Sequence, residues 1–329
     1  MRKLKGPLLM SVINNSRVLH FVDRMTSVGL RMGSPPYRLF TGFGPARLPL
    51  STRTLREMGL FPIRDHYYQP LFNDAHLTKS MSDIRVLPGI DLKFENQRSL
   101  LSKLVYADEL VSLHLDSPAE SDLDFSINNG WFGSGDAEFL YSMIRYLNPK
   151  RVFEIGSGHS TKIAQLALRR NALETGSEFE HVCIEPYEVS WLQELGVTVI
   201  RERVERVGLA MFEDLTTNDL LFIDSSHMIR PQGDVLFEYL ELLPSLSSGI
   251  YVHVHDIFTP RDYLEEWVRT DVRMWNEQYL LEALLSNSER YEVIAAVNYL
   301  HHAEFDRLQA ICPYLKRDRE PGSFYIKTR

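Results

Sequence analysis

The feature that most constrains this chain is an alternation that begins near residue 136. Short apolar, β-rich runs at 151–155, 179–185, 197–201, 220–224, 249–255, 291–297 and 323–327 are separated by stretches with helical spacing. The helical stretches are 136–147, 161–170, 187–195, 232–243 and 275–285. Strands alternating with helices imply right-handed crossovers and a parallel sheet covered on both faces. In such a sheet ligands sit at the carboxyl ends of the strands, so the chemistry is sought there.

The first run ends in Phe153-Glu154-Ile155-Gly156-Ser157-Gly158-His159-Ser160-Thr161 and leads straight into a helix. Gly156 and Gly158 allow a tight turn and close approach of the backbone to a ligand. Glu185 closes the next run 29 residues beyond Gly156, where an acid can take both hydroxyls of a ribose. A dinucleotide site would want a third glycine at position 161, and Thr161 stands there instead.

Two further strand tips carry acids. Asp224 follows Leu220-Leu-Phe-Ile and is followed by Ser-Ser-His227; Asp256 follows Gly249-Ile-Tyr-Val-His253-Val-His255. Neighbouring strands lie about 4.8 Å apart, so the two carboxylates can reach one cation. Oxygen-rich ligation with an optional imidazole suits Mg²⁺ or Mn²⁺. His253, inside an apolar run, reads as a packed, hydrogen-bonded core histidine. His301 and His302 read as solvated loop residues.

The pattern Glu-x-Gly-x-Gly-x-Ser-Thr at 154–161 resembles motif I of the class I S-adenosylmethionine (SAM) methyltransferases, and Cys183-Ile-Glu-Pro186 resembles the motif that follows it. The resemblance covers about residues 125–329. It implies a Rossmann-like fold and cofactor contacts from Glu154, Gly156, Ser157, Gly158, Ser160 and Thr161. Glu185 and Pro186 would serve the ribose, and Val204 and Glu205 the adenine. Asp-x-x-His at Asp224 and His227 is further similar to the metal-dependent O-methyltransferases of sugars and other small hydroxyl compounds, such as the macrolide-sugar enzymes. That likeness implies Asp224 as a metal ligand and His227 as general base. Asp256 matches the second acid of the family's acidic pair, while His255 stands where the first acid is expected; it either ligates or the site runs without metal.

The expected fold class is therefore α/β, a doubly wound, mostly parallel seven-stranded sheet behind a mainly helical or irregular N-terminal extension. Domains are expected at 1–125 and 126–329, with an insertion at 257–290 whose Trp267, Trp275 and Tyr279 serve the core, a lid or a homodimer contact. In the extension one helix is expected at 95–111, and the rest lacks strong periodicity. Two classes compete with a methyltransferase acting on a small hydroxylated substrate. They are a nicotinamide-dependent oxidoreductase and a non-catalytic scaffold on the same fold.

Charge and cysteine content narrow the setting. Of 329 residues, 36 are Lys or Arg and 44 Asp or Glu, a formal net charge of −8 that argues against a general nucleic-acid binder. The first 50 residues carry eight basic residues and one acid, Asp23, so the remainder is strongly acidic. This basic arm reads as packing on the domain or a partner subunit. No run of 18 apolar residues predicts a membrane span. The two cysteines, Cys183 and Cys312, make neither a disulfide framework nor a zinc spacing, and a reducing cytoplasm is expected.

Overall fold

The computed structural model describes residues 16–63, 70, 76–187 and 189–329. The chain forms two compact units, Met1–Thr78 and Lys79–Arg329. Among the basic residues of the arm, Arg2, Lys3 and Lys5 lie outside the described residues.

The first unit contains α1 (Ser16–Phe43) and α2 (Pro49–Met58). The 28-residue α1 departs from the expectation of weak periodicity. Gly33-Ser-Pro-Pro36 reads as punctuation, yet Pro35 and Pro36 lie inside the helix. After α2, Gly59 takes a left-handed C-cap with its N–H on the Arg56 and Leu55 carbonyls. Phe40 and Leu55 are buried, and Phe40 meets Phe61 edge-to-face at 5.5 Å.

The second unit is built on one seven-stranded sheet. Its strands are β1 (Arg151–Ile155), β2 (Glu180–Ile184), β3 (Thr198–Ile200), β4 (Leu220–Ile223), β5 (Tyr251–Val254), β6 (Tyr291–Ala296) and β7 (Phe324–Thr328). They lie in the order β3-β2-β1-β4-β5-β7-β6. All neighbours are parallel except at β7, which runs antiparallel to β5 and β6. The chain reverses direction across the sheet between β1 and β4, so the tips of those two strands open a crevice.

Alternate residues of each strand enter opposite cores. Phe153, Ile155, Val182, Ile184, Leu221, Ile223, Val252 and Val254 pack with Val235, Leu242 and Leu243 of the helical run 234–245 and with Leu281 and Leu285 of α7 (Glu277–Leu285). Val152, Leu220 and Phe222 face the other way, toward Leu140 and Ile144 of α5 (Asp136–Leu147) and Ile163, Ala164 and Ala167 of α6 (His159–Thr175). A third cluster joins Leu100 of α3 (Phe94–Leu101), Leu104, Phe139 and Met143 to Leu300 of α8 (Val297–Ala303) and Leu308 of α9 (Phe305–Ile311).

Three local expectations are corrected. The helix expected at 95–111 is two helices, α3 and α4 (Ala107–Ser112), because the chain breaks to bury Leu104 between them. The helix expected at 187–195 is only a 3₁₀ turn, Leu192–Leu195. There the Arg201 guanidinium donates to the carbonyls of Glu185, Tyr187 and Val189, taking acceptors that a helix would have used. His301 and His302 lie on α8, and His301 is buried, since Val297, Leu300 and His301 share the helix face turned to the core. His253 is packed as expected, stacked on Tyr325 at 4.2 Å, but neither ring nitrogen has a hydrogen-bond partner. Burial holds its pKa well below the usual histidine range.

Candidate active site

The turn after β1 is set by steric necessity. Gly156 has φ +80°, and a Cβ there would lie 2.0 Å from the Asp224 carbonyl oxygen. The same turn is held from both sides: Gly156 N–H donates to Ile184 O at 3.1 Å and Asp224 N–H to Ile155 O at 2.8 Å. Gly158 opens α6, and no protein atom lies within 4 Å of where its Cβ would be, which leaves that face open to a ligand.

A cavity of about 250 Å³ runs along these tips, lined by Gly156, Glu185, Pro186, Val204, Glu205 and Asp224 among others. A larger one of about 960 Å³ adjoins it, sharing Gly156, Glu185 and Asp224, and takes in Ser157, Gly158, Ser160, His227, His255 and Asp256. Glu185 sits at their junction, accepting the N–H of Ser157 at 3.3 Å and of Tyr187 at 2.7 Å.

Glu154 and Thr161, expected at the cofactor, line neither cavity. Glu154 is fully buried; it accepts the Thr161 hydroxyl at 2.5 Å and lies 3.3 Å from His181 Nε2. Thr161 in turn accepts the Gly158 N–H. Their carboxylate–hydroxyl pair braces the turn from behind. The Cys183 thiol abuts the same carboxylate at 3.5 Å, and burial pushes its pKa up.

At the reaction end, one ligand atom each from Asp224, His227 and Asp256 comes together. His227 Nε2 lies 3.4 Å from Asp224 Oδ1 and 3.5 Å from Asp256 Oδ2. His227 and Asp256 both have positive φ, 58° and 59°, a conformation non-glycine residues rarely hold outside constrained sites. His255 stands outside this set. Its Nδ1 is 3.6 Å from a carboxylate oxygen of each aspartate, its Nε2 is 3.7 Å from Asp136, and neither nitrogen forms a hydrogen bond. His255, expected as a ligand beside Asp224 and Asp256, thus lies against both of them and against Asp136, and His227 Nε2 faces the same two aspartates.

Glu277, Asp136 and Arg273 were not singled out in the sequence, and the insertion's tryptophans gain a definite place. Glu277, fully buried at the start of α7, takes His227 Nδ1 at 2.7 Å and the Tyr239 hydroxyl at 2.9 Å. A carboxylate on Nδ1 fixes the imidazole with Nε2 directed at the aspartates. Asp136 accepts Gly322 N–H and Ser323 Oγ at 2.8 Å each and faces His255. Trp275 stacks obliquely over His227 at 4.2 Å, and Arg273 lies over both Trp267 and Trp275. The insertion thus supplies the wall of the larger cavity through Leu264, Trp267, Arg273 and Trp275.

The electrostatics follow from this crowding. Burial pushes Asp224 up, but the neighbouring His255 and His227 overcome it and hold the carboxyl well below its ordinary range. Burial pushes His227 down, and hydrogen bonds to Asp224 and Glu277 with the Glu277 and Asp256 charges raise it well above the usual histidine value. His255 is raised in the same way by Asp256, Asp224 and Asp136 against its burial. Asp256, desolvated and beside other carboxylates, is pushed up.

Comparison with known proteins agrees with the site's outline. Residues 153–257 match the family described as a methyltransferase domain. A protein of Archaeoglobus fulgidus, itself uncharacterized, is 31% identical over 180 residues, which span 50% of this chain and 77% of that one. Among solved structures, the SAH-bound Podospora anserina methyltransferase PaMTH1 is 17% identical over 74% of this chain and 99% of its own, with a TM-score of 0.37. The plantazolicin methyltransferase BpumL is 13% identical over 71% and 99%, at 0.34. A structure of cmcI with Mg and SAM is 13% identical over 64% and 82%, at 0.35. Residues 153–257 thus carry a methyltransferase domain of the SAM-dependent class. Its cofactor is accordingly SAM, and the nicotinamide reading falls away.

Proposed function

We propose that the chain methylates a hydroxyl oxygen of a small molecule held in the larger cavity, with SAM lying across the Gly156 turn. The observation that carries this reading is the convergence of Asp224, His227 Nε2 and Asp256 at a cavity continuous with Gly156 and Glu185. Glu185 takes the ribose hydroxyls, Val204 and Glu205 border the adenine, and Ser157, Gly158 and Ser160 face the methionine end.

The two carboxylates, Asp224 and Asp256, fit a hard divalent cation such as Mg²⁺ or Mn²⁺, with oxygens close enough to share a centre. Such a cation would supply positive charge that lowers the pKa of a substrate hydroxyl and offsets the carboxylate field raising His227. In the transfer the S–CH₃ bond breaks as the O–CH₃ bond forms, and SAH leaves neutral. The hydroxyl proton passes to His227 Nε2, which Glu277 holds in the accepting tautomer. Trp131, Trp267 and Trp275 border the acceptor and exclude water on one side.

A second reading makes His227 a third ligand, favoured by its place in the three-residue cluster. Methyl transfer from radiolabelled SAM to a panel of polyhydroxylated small molecules, with EDTA and with Mn²⁺ added back, tests both. Transfer to oxygen that EDTA abolishes and Mn²⁺ restores supports the proposal; EDTA-insensitive transfer, or transfer to nitrogen or carbon alone, overturns it. If His227→Asn keeps Mn²⁺ affinity and loses turnover, the base reading stands. Loss of Mn²⁺ affinity makes it a ligand.

A further inference from the structure

The arm that the methyltransferase chemistry does not use has a definite surface. On a helical wheel of α1, Val18, Phe21, Met25, Val28, Met32, Leu39 and Phe43 fall on one face, recurring at three- and four-residue intervals with one seven-residue step across Pro35-Pro36. They are not a core: Phe21 is 66% exposed, Met25 58% and Met32 77%. Among the described residues Val18 is partly covered, and Phe40, at the far edge, is buried against Phe61. Arg17, Arg24, Arg31 and Arg38 recur every seven residues, which places them in one row along the border of that face. Asp23, the one acid of the helix, lies on the opposite side.

We propose that α1 lies in the plane of an anionic lipid bilayer, its apolar face in the acyl boundary and its arginine row against the headgroups. A continuous apolar face bordered by cations is the pattern of an interfacial helix, and no helix among the described residues is long and apolar enough to cross a membrane. Charge decides against a second copy. Two α1 faces packed together would bring Arg24, Arg31 and Arg38 of both copies alongside a seam from which the helix's acid, Asp23, is turned away, and Gly29, Gly33 and Pro35-Pro36 interrupt its register. A nucleic acid would match the arginines and leave the seven apolar side chains in water.

The test is flotation of the full chain with vesicles of phosphatidylcholine alone and of phosphatidylcholine mixed with phosphatidylglycerol. Binding is expected only to the anionic vesicles and to weaken with salt. The triple variant R24Q/R31Q/R38Q should lose on the order of 100-fold in affinity, and M25E/M32E should abolish flotation. Both should keep the far-ultraviolet circular dichroism and SAH affinity of the parent. No flotation of the parent, or equal flotation with neutral vesicles, overturns the proposal. So does a dimer that M25E/M32E dissociates, or DNA binding that M25E/M32E leaves intact.

Discussion

At the scale of single residues, the site separates groups whose positions are forced from those that are chosen. Gly156 is forced: alanine there meets the Asp224 carbonyl and must hold a left-handed φ. Gly156→Ala is expected to cost more than about 2 kcal/mol and to abolish SAH binding, measured by chemical denaturation and calorimetry. Glu185→Ala is expected to weaken SAH roughly 10- to 100-fold, the loss of a hydrogen bond to a charged group. Glu277→Gln tests the support of His227. With its burial unopposed by that charge, the His227 pKa should fall, read by NMR titration of the imidazole in the metal-free chain. The sign has a stability counterpart. A histidine raised on folding adds stability that is fully present below its unfolded value near 6.5 and lost as pH rises through the folded one. In Glu277→Gln that pH dependence shrinks. Gly156, Glu185, Asp224 and Asp256 were legible in the sequence because each follows a strand-like run, and His227 because it stands three residues after Asp224. Glu277 was not, since it lies 50 residues from His227 within an insertion and only folding makes them neighbours.

At the scale of elements, strands were far easier to read than helices. Continuous runs such as 220–224 and 151–155 match β4 and β1 within a residue, because a strand buried on both faces must be apolar throughout. Helices depend on where carbonyls find partners, and Arg201 shows how one side chain can cancel a helix over 187–191. The helix pair α5 and α6 is tied by a charged knot as well as by packing. Arg145 of α5 donates to Glu109 at 2.8 Å, to Glu174 of α6 at 2.6 Å and to Asn171, while Tyr141 donates to the same Glu109. Burial pushes Glu109 up, but Arg145 and Tyr141 overcome it and hold its carboxyl below the ordinary value. Stability from this group is present above the unfolded value near 4.3 and is lost as pH falls through the folded one. Glu109→Gln should therefore be less stable than the parent at neutral pH and nearly equal to it in strong acid, measured by urea titration across that range. In the same layer, Phe222→Ala removes a ring that contacts Phe132 and His253 and should cost about 3–5 kcal/mol.

At the scale of the whole molecule, every core cluster of the second unit is assembled from residues at or after position 90. A chain of residues 79–329 is expected to fold cooperatively and bind SAH as the parent does; a loss of affinity in calorimetry would show that the first unit supports the cofactor. Alternation announces a mostly parallel sheet, but not its order, in which antiparallel β7 sits between β5 and β6, and it does not announce α1, whose glycines and prolines interrupt its period. The methyltransferase signature and the arm thus differ in kind. One is a local motif at a strand tip, the other a face that exists only once 28 residues share a helix.

The contact between Gly156 and Asp224 has a thermodynamic consequence. The residue that turns the chain toward the cofactor rests on the backbone of the residue that begins the cluster of acids, and Gly156 is tied by its N–H to the tip of β2 while Asp224 is tied by its own to the tip of β1. Occupancy at one strand tip therefore constrains the other, so the proposed cation and SAH should raise each other's affinity by one common factor. A cycle of measurements closing on that factor would describe the two tips as a single binding unit.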